Sequence, residues 1–303
     1  MPRGARIKNP QSTFHIMVKS ISEINLFRNS EDKDMYLYLL NKYQKIFVFK
    51  VYAYCLMSNH AHIIIDCCGA DISKIMKSIN QCYAIYYNSK YKRHGHLFQD
   101  RFKSKIVTDN KYLLALSLYI HNNPKDIIEF KNCIEKYPYS SLGIFLGIAY
   151  NRYEIVDTNF ILALLDEQKR NSIKKYSYML KLENSSYILH NVEFETHSTN
   201  YNRRDVYLRD FDPDDIIQLI SQITGSYINV HLKYIRKNTE QKSICAIVLH
   251  SLCNFRHKDI CSYFGNSSEA SISRLCKTGF NLISNNDKYK NIISSILAST
   301  KSA

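Results

Sequence analysis

Two histidines, His60 and His62, stand at the head of the run His-Ala-His-Ile-Ile-Ile-Asp (60–66). So apolar a run, preceded by Val51, Tyr52, Ala53 and Tyr54, reads as a buried strand. Residues two apart on a strand project to one face, so the imidazoles stand side by side with Ala61 turned away. Two imidazoles at that spacing can share one divalent metal. The alternative is a structural pair, hydrogen-bonded at a sheet end, and His-x-His alone does not choose. No Asp-x-Asp or Glu-rich cluster lies nearby, of the kind two-metal hydrolysis needs. Tyrosine, by contrast, is plentiful, and the segment 110–124 carries Tyr119 and Asn123 one helical turn apart. A tyrosine hydroxyl can attack a phosphodiester and store the bond energy as phosphotyrosine, while a metal polarises the scissile phosphate. Asn123 can add an oxygen ligand to the two imidazole nitrogens. Tyr83, Tyr86, Tyr87 and Tyr112 remain rivals, because tyrosine at helical spacing usually packs in a core with its hydroxyl wet.

The elements that must position these residues follow from pattern. Residues 12–22 and 48–57 read as strands, and 60–66 follows the second closely enough to form a hairpin. Residues 31–47 read as a helix, as do residues 72–91, which Asp71 can cap. Residues 93–109 form a Gly-containing turn leading into a short strand. Residues 110–124 form a helix capped by Asp109 or Asn110 and stopped near Pro124. The order β-α-β-β-α-β-α describes an α+β fold, an antiparallel-rich sheet with helices on one face. Residues 158–182 read as one or two further helices. The polar stretch 183–205 is a linker candidate, and the pattern beyond about Asp212 is all-helical.

The chain has 303 residues, enough for two domains or one domain with an appendage. The expected division is 1–150, a helical extension and linker over 151–205, and a helical domain over 206–303. The net charge is +14, and residues 1–150 carry most of it, with 21 basic against 11 acidic residues. A basic first half suits a polyanionic partner, most simply nucleic acid. Arg93, His96, Arg101 and Lys103 form a basic turn that can grip phosphates or merely be solvated. The nine cysteines are odd in number and form no C-x-x-C pair, which fits a reducing cytosol. The N-terminus lacks the apolar core of a signal peptide, and no run approaches a membrane span. The expectation is a cytoplasmic protein without a membrane partner.

Four ordered motifs, "SNHAHIII", "RHGHLFQDRFKSKIV", "YLLALSLYIHNNPKD" and "YPYSS", resemble the single-tyrosine HUH transposases, in particular the REP-associated branch. The resemblance covers roughly residues 5–150. It implies a ferredoxin-like nuclease domain acting as an endonuclease and strand transferase on single-stranded or hairpin DNA. It also implies Mg or Mn as cofactor, a 5′-phosphotyrosine intermediate and a free 3′-hydroxyl. Carried over by position, His60 and His62 match the metal-binding histidines, Tyr119 the nucleophile and Asn123 the residue that completes the coordination. Two positions depart from the pattern: Ser58 stands where many relatives have proline, and Lys125-Asp126-Ile127 replaces a basic, glycine-containing ending. Whether Tyr119 serves its own subunit or a partner in a homodimer is left open. A second reading is a DNA-binding regulator derived from a transposase that no longer cuts. RNA binding has no motif.

Residues 256–279 read as helix, tight turn at Gly265-Asn266, helix, with Ile260, Phe264, Ile272 and Leu275 as shared core. Residues 212–283 resemble the helical DNA-binding domain of the chromosomal replication initiator. That implies a helix-turn-helix reading duplex DNA, with Arg274 and Lys277 facing one groove. The alternative is an ordinary helical hairpin in a bundle.

Overall fold

A computed structural model of the chain describes residues 12–22, 24–182, 209, 211–231, 238–265 and 267–301. The linker candidate 183–205 and the turn residue Asn266 lie outside the described residues. The chain divides into two compact units, residues 1–44 with 49–206 and residues 45–48 with 207–303.

The first unit is α+β. In chain order it comprises β1 (Thr13–Lys19), α1 (Ser30–Phe47), β2 (Lys50–Leu56), β3 (His60–Asp66), α2 (Ile72–Lys90), β4 (Lys103–Ile106) and α3 (Asn110–Asn122). Three short 3-10 turns then lead to α4 (Leu142–Phe145), α5 (Asn159–Ala163) and α6 (Lys169–Lys181). The four strands form an antiparallel sheet in the order β2-β3-β1-β4. β2 and β3 are joined by the tight Ser58-Asn59 turn, closed by the Met57 N–H donating to the His60 carbonyl at 2.9 Å. That turn fixes which face the histidines take, since a slip of one residue would invert every side chain. Asp71 caps α2 by accepting from the Ser73 N–H at 2.8 Å, and Asp109 caps α3 by accepting from Tyr112 N–H at 2.7 Å.

The register sorts the sheet into two faces. Phe14, Ile16 and Val18 lie opposite Ile65, Ile63 and Ala61, all fully buried, and Tyr54 lies opposite Ile63. On this face Tyr54 borders the same cleft as Asp34 and Leu37 of α1. The other face carries His15, Met17, Ile64, His62 and Cys55, and α3 brings the Tyr119 ring against His62. Helices therefore cover both faces, which corrects the expectation of helices on one. The reason is visible in β3: every residue after His60 is buried, and a strand apolar on both sides needs cover on both sides.

The second unit is all helical among its described residues: α7 (Pro213–Thr224), α8 (Thr239–Ser251), α9 (His257–Phe264), α10 (Glu269–Asn285) and α11 (Ile292–Lys301). Asp212 caps α7 and Ser268 caps α10. Ile260, Phe264 and Ile272 are buried, but Leu275 is only half-buried and Cys276, one position on, takes the core site. The 100° step per residue puts Ile272 and Cys276, four apart, on one face, and Leu275 at its edge. α8 and α10 approach so closely at Gly279 that a Cβ there would collide with the Ser243 carbonyl.

Candidate active site

The histidine face of the sheet draws its residues from three elements. β3 supplies His60 and His62, whose rings stand 5.0 Å apart between centroids. β1 supplies His15, diagonal to His62 across the antiparallel pair and stacked on it at 5.1 Å. α3 supplies Tyr119, whose ring meets His62 edge-on at 5.6 Å, and Asn123 follows one turn later. Asn123 Nδ2 donates to the Tyr119 carbonyl at 2.9 Å, closing the helix end, and its carboxamide lies near enough to His60 to bear on its titration. His60, His62, Tyr119 and Asn123 thus stand together although 63 positions separate the first from the last.

Hydrogen bonds orient both imidazoles. His60 Nδ1 lies 2.6 Å from Asn59 Oδ1. An amide oxygen only accepts, so this nitrogen carries the proton and Nε2 keeps its lone pair. His62 Nδ1 lies 2.9 Å from His15 Nε2. When His62 donates in that bond, its Nε2 likewise presents a lone pair. Burial favours the neutral form of all three rings. It lowers the pKa of His60, and the charge of Lys19 adds to this while Asn123 and Asp126 oppose it. Burial also takes His62, only 5% exposed, well below 6.5, reinforced by His15 and His60. His15 falls to about 4 through burial and then the charge of Lys105. Neutral imidazole is the ligating form, so the donor set fits a divalent ion: two imidazole nitrogens plus the carboxamide oxygen of Asn123. Among the described residues no group of three or more His, Cys, Asp or Glu converges on one point.

Three of the four rival tyrosines have hydroxyls engaged elsewhere, while the buried hydroxyl of Tyr112 has no hydrogen-bond partner among the described residues. Tyr83 and Tyr87 are buried, and their hydroxyls donate to the Leu26 and Asn25 carbonyls, both at 2.7 Å. The Tyr86 hydroxyl bonds Asp32. Tyr112 lies on α3 under Lys105, whose ammonium sits 5.2 Å from its ring centroid, and burial raises its pKa to about 12.

Cations border the site. Lys103 and Lys105 of β4 face the histidines, in register with Met17 and His15, and Lys19 pairs with His60. The loop carrying Arg93, His96 and Arg101 runs beside the same end of β1, where Ser20 bridges Phe98 and Gln99 N–H donates to the Lys19 carbonyl at 3.0 Å. Arg101 and His96 are exposed, while Arg93 leans on Asn88 and the Tyr87 ring. Sequence reasoning missed Asn59, His15, Lys19 and Lys105. Asn59 is adjacent to His60 and was legible as an orienting neighbour; His15 needed the β1–β3 register.

Residues 8–123 match the family described as "Transposase IS200 like". All four clustered residues fall inside that span, with Asn123 as its last. A solved structure described as a REP-associated tyrosine transposase bound to a REP hairpin is 18% identical, with a TM-score of 0.41. It covers 52% of this chain and 93% of its own. No curated protein matches the chain. Beyond the matched residues, α3 is tied to α6 by a buried chain. The Tyr176 hydroxyl lies 2.7 Å from His121 Nδ1 and donates to Ser117 Oγ at 2.9 Å, and His121 Nε2 lies 2.7 Å from Ser141 Oγ. Ser141 in turn bonds the backbone of Tyr54 on β2. This chain fixes the helix that presents Tyr119. A cleft of about 450 Å³, bordered by Asp34, Tyr54, Tyr139 and Arg152, contains none of the four residues.

In the second unit Arg274 and Lys277 are both exposed on α10, three positions apart, with Arg274 Nε donating to its own helix at Ala270. No helix of the described residues is long and apolar enough to cross a membrane.

Proposed function

We propose that the first unit is a metal-dependent endonuclease and strand transferase for single-stranded DNA, working through Tyr119. The observation that carries this reading is the convergence of His60, His62, Tyr119 and Asn123 on one face. In the cleaving step Tyr119 Oη forms a bond to phosphorus and the P–O3′ bond breaks. The phenol loses its proton and the departing 3′-oxygen gains one, leaving a 5′-phosphotyrosine and a free 3′-hydroxyl. Rejoining is the reverse attack by a 3′-hydroxyl. His60, His62 and Asn123 would hold the divalent ion, Mg or Mn, which when bound polarises the scissile phosphate and offsets its developing charge. Lys19, Lys103 and Lys105, with Arg93, His96 and Arg101, would hold flanking phosphates. The family match over residues 8–123 supports a transposase-type reaction on DNA, and a hairpin beside the cut follows from the resemblance.

For the second unit the reading is a duplex-binding helix-turn-helix, with α10 in the groove and Arg274 and Lys277 as its contacts. Support comes from two amphipathic helices, α9 and α10, joined by four residues around Gly265, whose φ of +80° suits glycine. The deciding experiment incubates the protein with single-stranded DNA from the flanks of its own gene and Mn. A covalent protein–DNA adduct that survives denaturation supports the reading. DNA binding without any adduct would favour the non-cutting regulator instead.

A further inference from the structure

α6 lies outside both the site and the family match, and its two faces differ sharply. Its sequence, Lys-Arg-Asn-Ser-Ile-Lys-Lys-Tyr-Ser-Tyr-Met-Leu-Lys, holds five cations and no carboxylate. Ser172, Tyr176 and Leu180, at spacing four, are buried, and Tyr176 enters the hydrogen-bond chain to His121 and Ser117 of α3. The opposite face presents Arg170, Lys174, Tyr178 and Lys181 at spacings of four, four and three, all exposed. Four positions along a helix rise about 6 Å, so this row runs roughly 16 Å along one side. Lys175, off the row, is taken by Asp166 at 2.7 Å. Arg170, Lys174 and Lys181 form no ion pair among the described residues, and Tyr178 is 65% exposed.

A solvated helix face ordinarily mixes signs, because opposite charges one turn apart support the helix and like charges weaken it. Arg170 and Lys174 are a like-charged pair one turn apart, so the row works against α6 in isolation. A membrane surface is a poor fit, because the apolar side of α6 is packed on α3 rather than free to enter lipid. A row of cations with one exposed ring suits a single nucleic-acid strand, cations to phosphates and ring to base. His121 and Tyr119 are two positions apart on α3, so His121 anchors α6 on the side of α3 away from the Tyr119 ring. A segment held on α6 is therefore not the one carrying the scissile phosphate.

We infer that this face of α6 is a second DNA-binding surface, which holds a single-stranded flank of the DNA engaged at Tyr119. Arg170, Lys174 and Lys181 contact three phosphates and Tyr178 stacks on an unpaired base. The inference rests on the DNA-processing reading above. The rigid tie through Tyr176 keeps this grip at a fixed distance from the nucleophile.

The test measures binding of the full chain to labelled oligodeoxythymidine, one probe of roughly 30 nucleotides and one of roughly 8, across a salt series. Replacing Arg170, Lys174 and Lys181 together by Gln, a good helix former, should leave the melting temperature near that of the parent. On the long probe the triple variant should bind at least tenfold more weakly. Its log–log salt slope should fall by about 2, since each single-strand phosphate contact contributes about 0.7. Binding of the short probe should not change. Tyr178→Ala should weaken the long probe about fivefold or more with the slope unchanged. An unchanged long-probe affinity and slope in the triple variant would overturn the surface while leaving the Tyr119 reading intact. If the parent protein bound neither probe at low salt, both readings would fall.

Discussion

The two units carry their candidate residues in opposite ways. In the first, β1, β3 and α3 bring His15, His60, His62, Tyr119 and Asn123 together, most of them partly or wholly out of water. In the second, Arg274 and Lys277 stand exposed on a single helix. Convergence requires the whole fold to hold distant residues in place, as chemistry on a reacting group demands. An exposed pair on one helix needs only the helix. The first arrangement therefore should fail abruptly when single atoms are removed, and the second should weaken by degrees.

The sharpest break is at the nucleophile. Tyr119→Phe keeps the ring against His62 and removes one oxygen, so adduct formation should vanish while the fold persists. Tyr83→Phe should do the reverse. It leaves the Leu26 carbonyl without its buried donor, costing about 1–3 kcal/mol in urea unfolding, with cutting retained. If Tyr119→Phe still cut and Tyr83→Phe did not, the nucleophile would be wrongly assigned.

Next in size is the metal. Replacing His60 and His62 together by Ala should abolish cutting and leave DNA binding mostly in place, because Lys19, Lys103, Lys105 and the loop cations remain. Undiminished cutting in excess chelator would rule out metal dependence. His15 acts one step back. His15→Phe should lower Mn affinity about 10–100-fold by releasing His62 Nδ1, and His15→Gln, which can still accept that hydrogen bond, should recover part of the loss. Titration calorimetry with the ion alone checks this without reference to activity.

A milder effect separates the α3 anchor from the site. Burial holds His121 at about 3, far below the 6.5 of an unfolded histidine. Between those values the unfolded chain binds a proton that the native chain refuses, so stability is lost as pH falls from about 6.5 towards 3. Unfolding of the metal-free protein should steepen over that window, and His121→Gln should flatten it. A pH profile identical in both proteins would remove His121 from the account. The smallest effect belongs to the second unit. Arg274→Gln with Lys277→Gln should weaken duplex binding by about 1–3 kcal/mol in gel-shift titrations, with adduct formation on a supplied single strand unchanged.

These differences also mark what a sequence discloses. β3 and α3 are legible because local features define them: a tight turn before His60, an Asp109 cap, a proline at 124. The pairing of His60 with His62 needs only strand alternation. His15 was hidden because a lone histidine inside Thr-Phe-His-Ile-Met-Val-Lys looks like any half-buried strand residue, and its meeting with His62 depends on a register 47 positions away. The helix cover on both faces was foreshadowed by the unbroken Ile63-Ile64-Ile65, which leaves no polar side for water. The exchange of Leu275 for Cys276 in the second core rests on a rotation of α10 that helical period alone does not set.

The central claim, that Tyr119 becomes covalently joined to DNA, has one direct test. The full chain is incubated with Mn and single-stranded DNA from its own gene flanks, digested with protease and nuclease, and the nucleotide-bearing peptide sequenced by mass spectrometry. The predicted result is one modified peptide, Tyr112 to Lys125 after cleavage at lysine and arginine, with the phosphate on Tyr119 and none on Tyr112. A phosphate on Tyr83, Tyr86, Tyr87 or Tyr112, or no modified peptide from protein that binds both Mn and the strand, would contradict it.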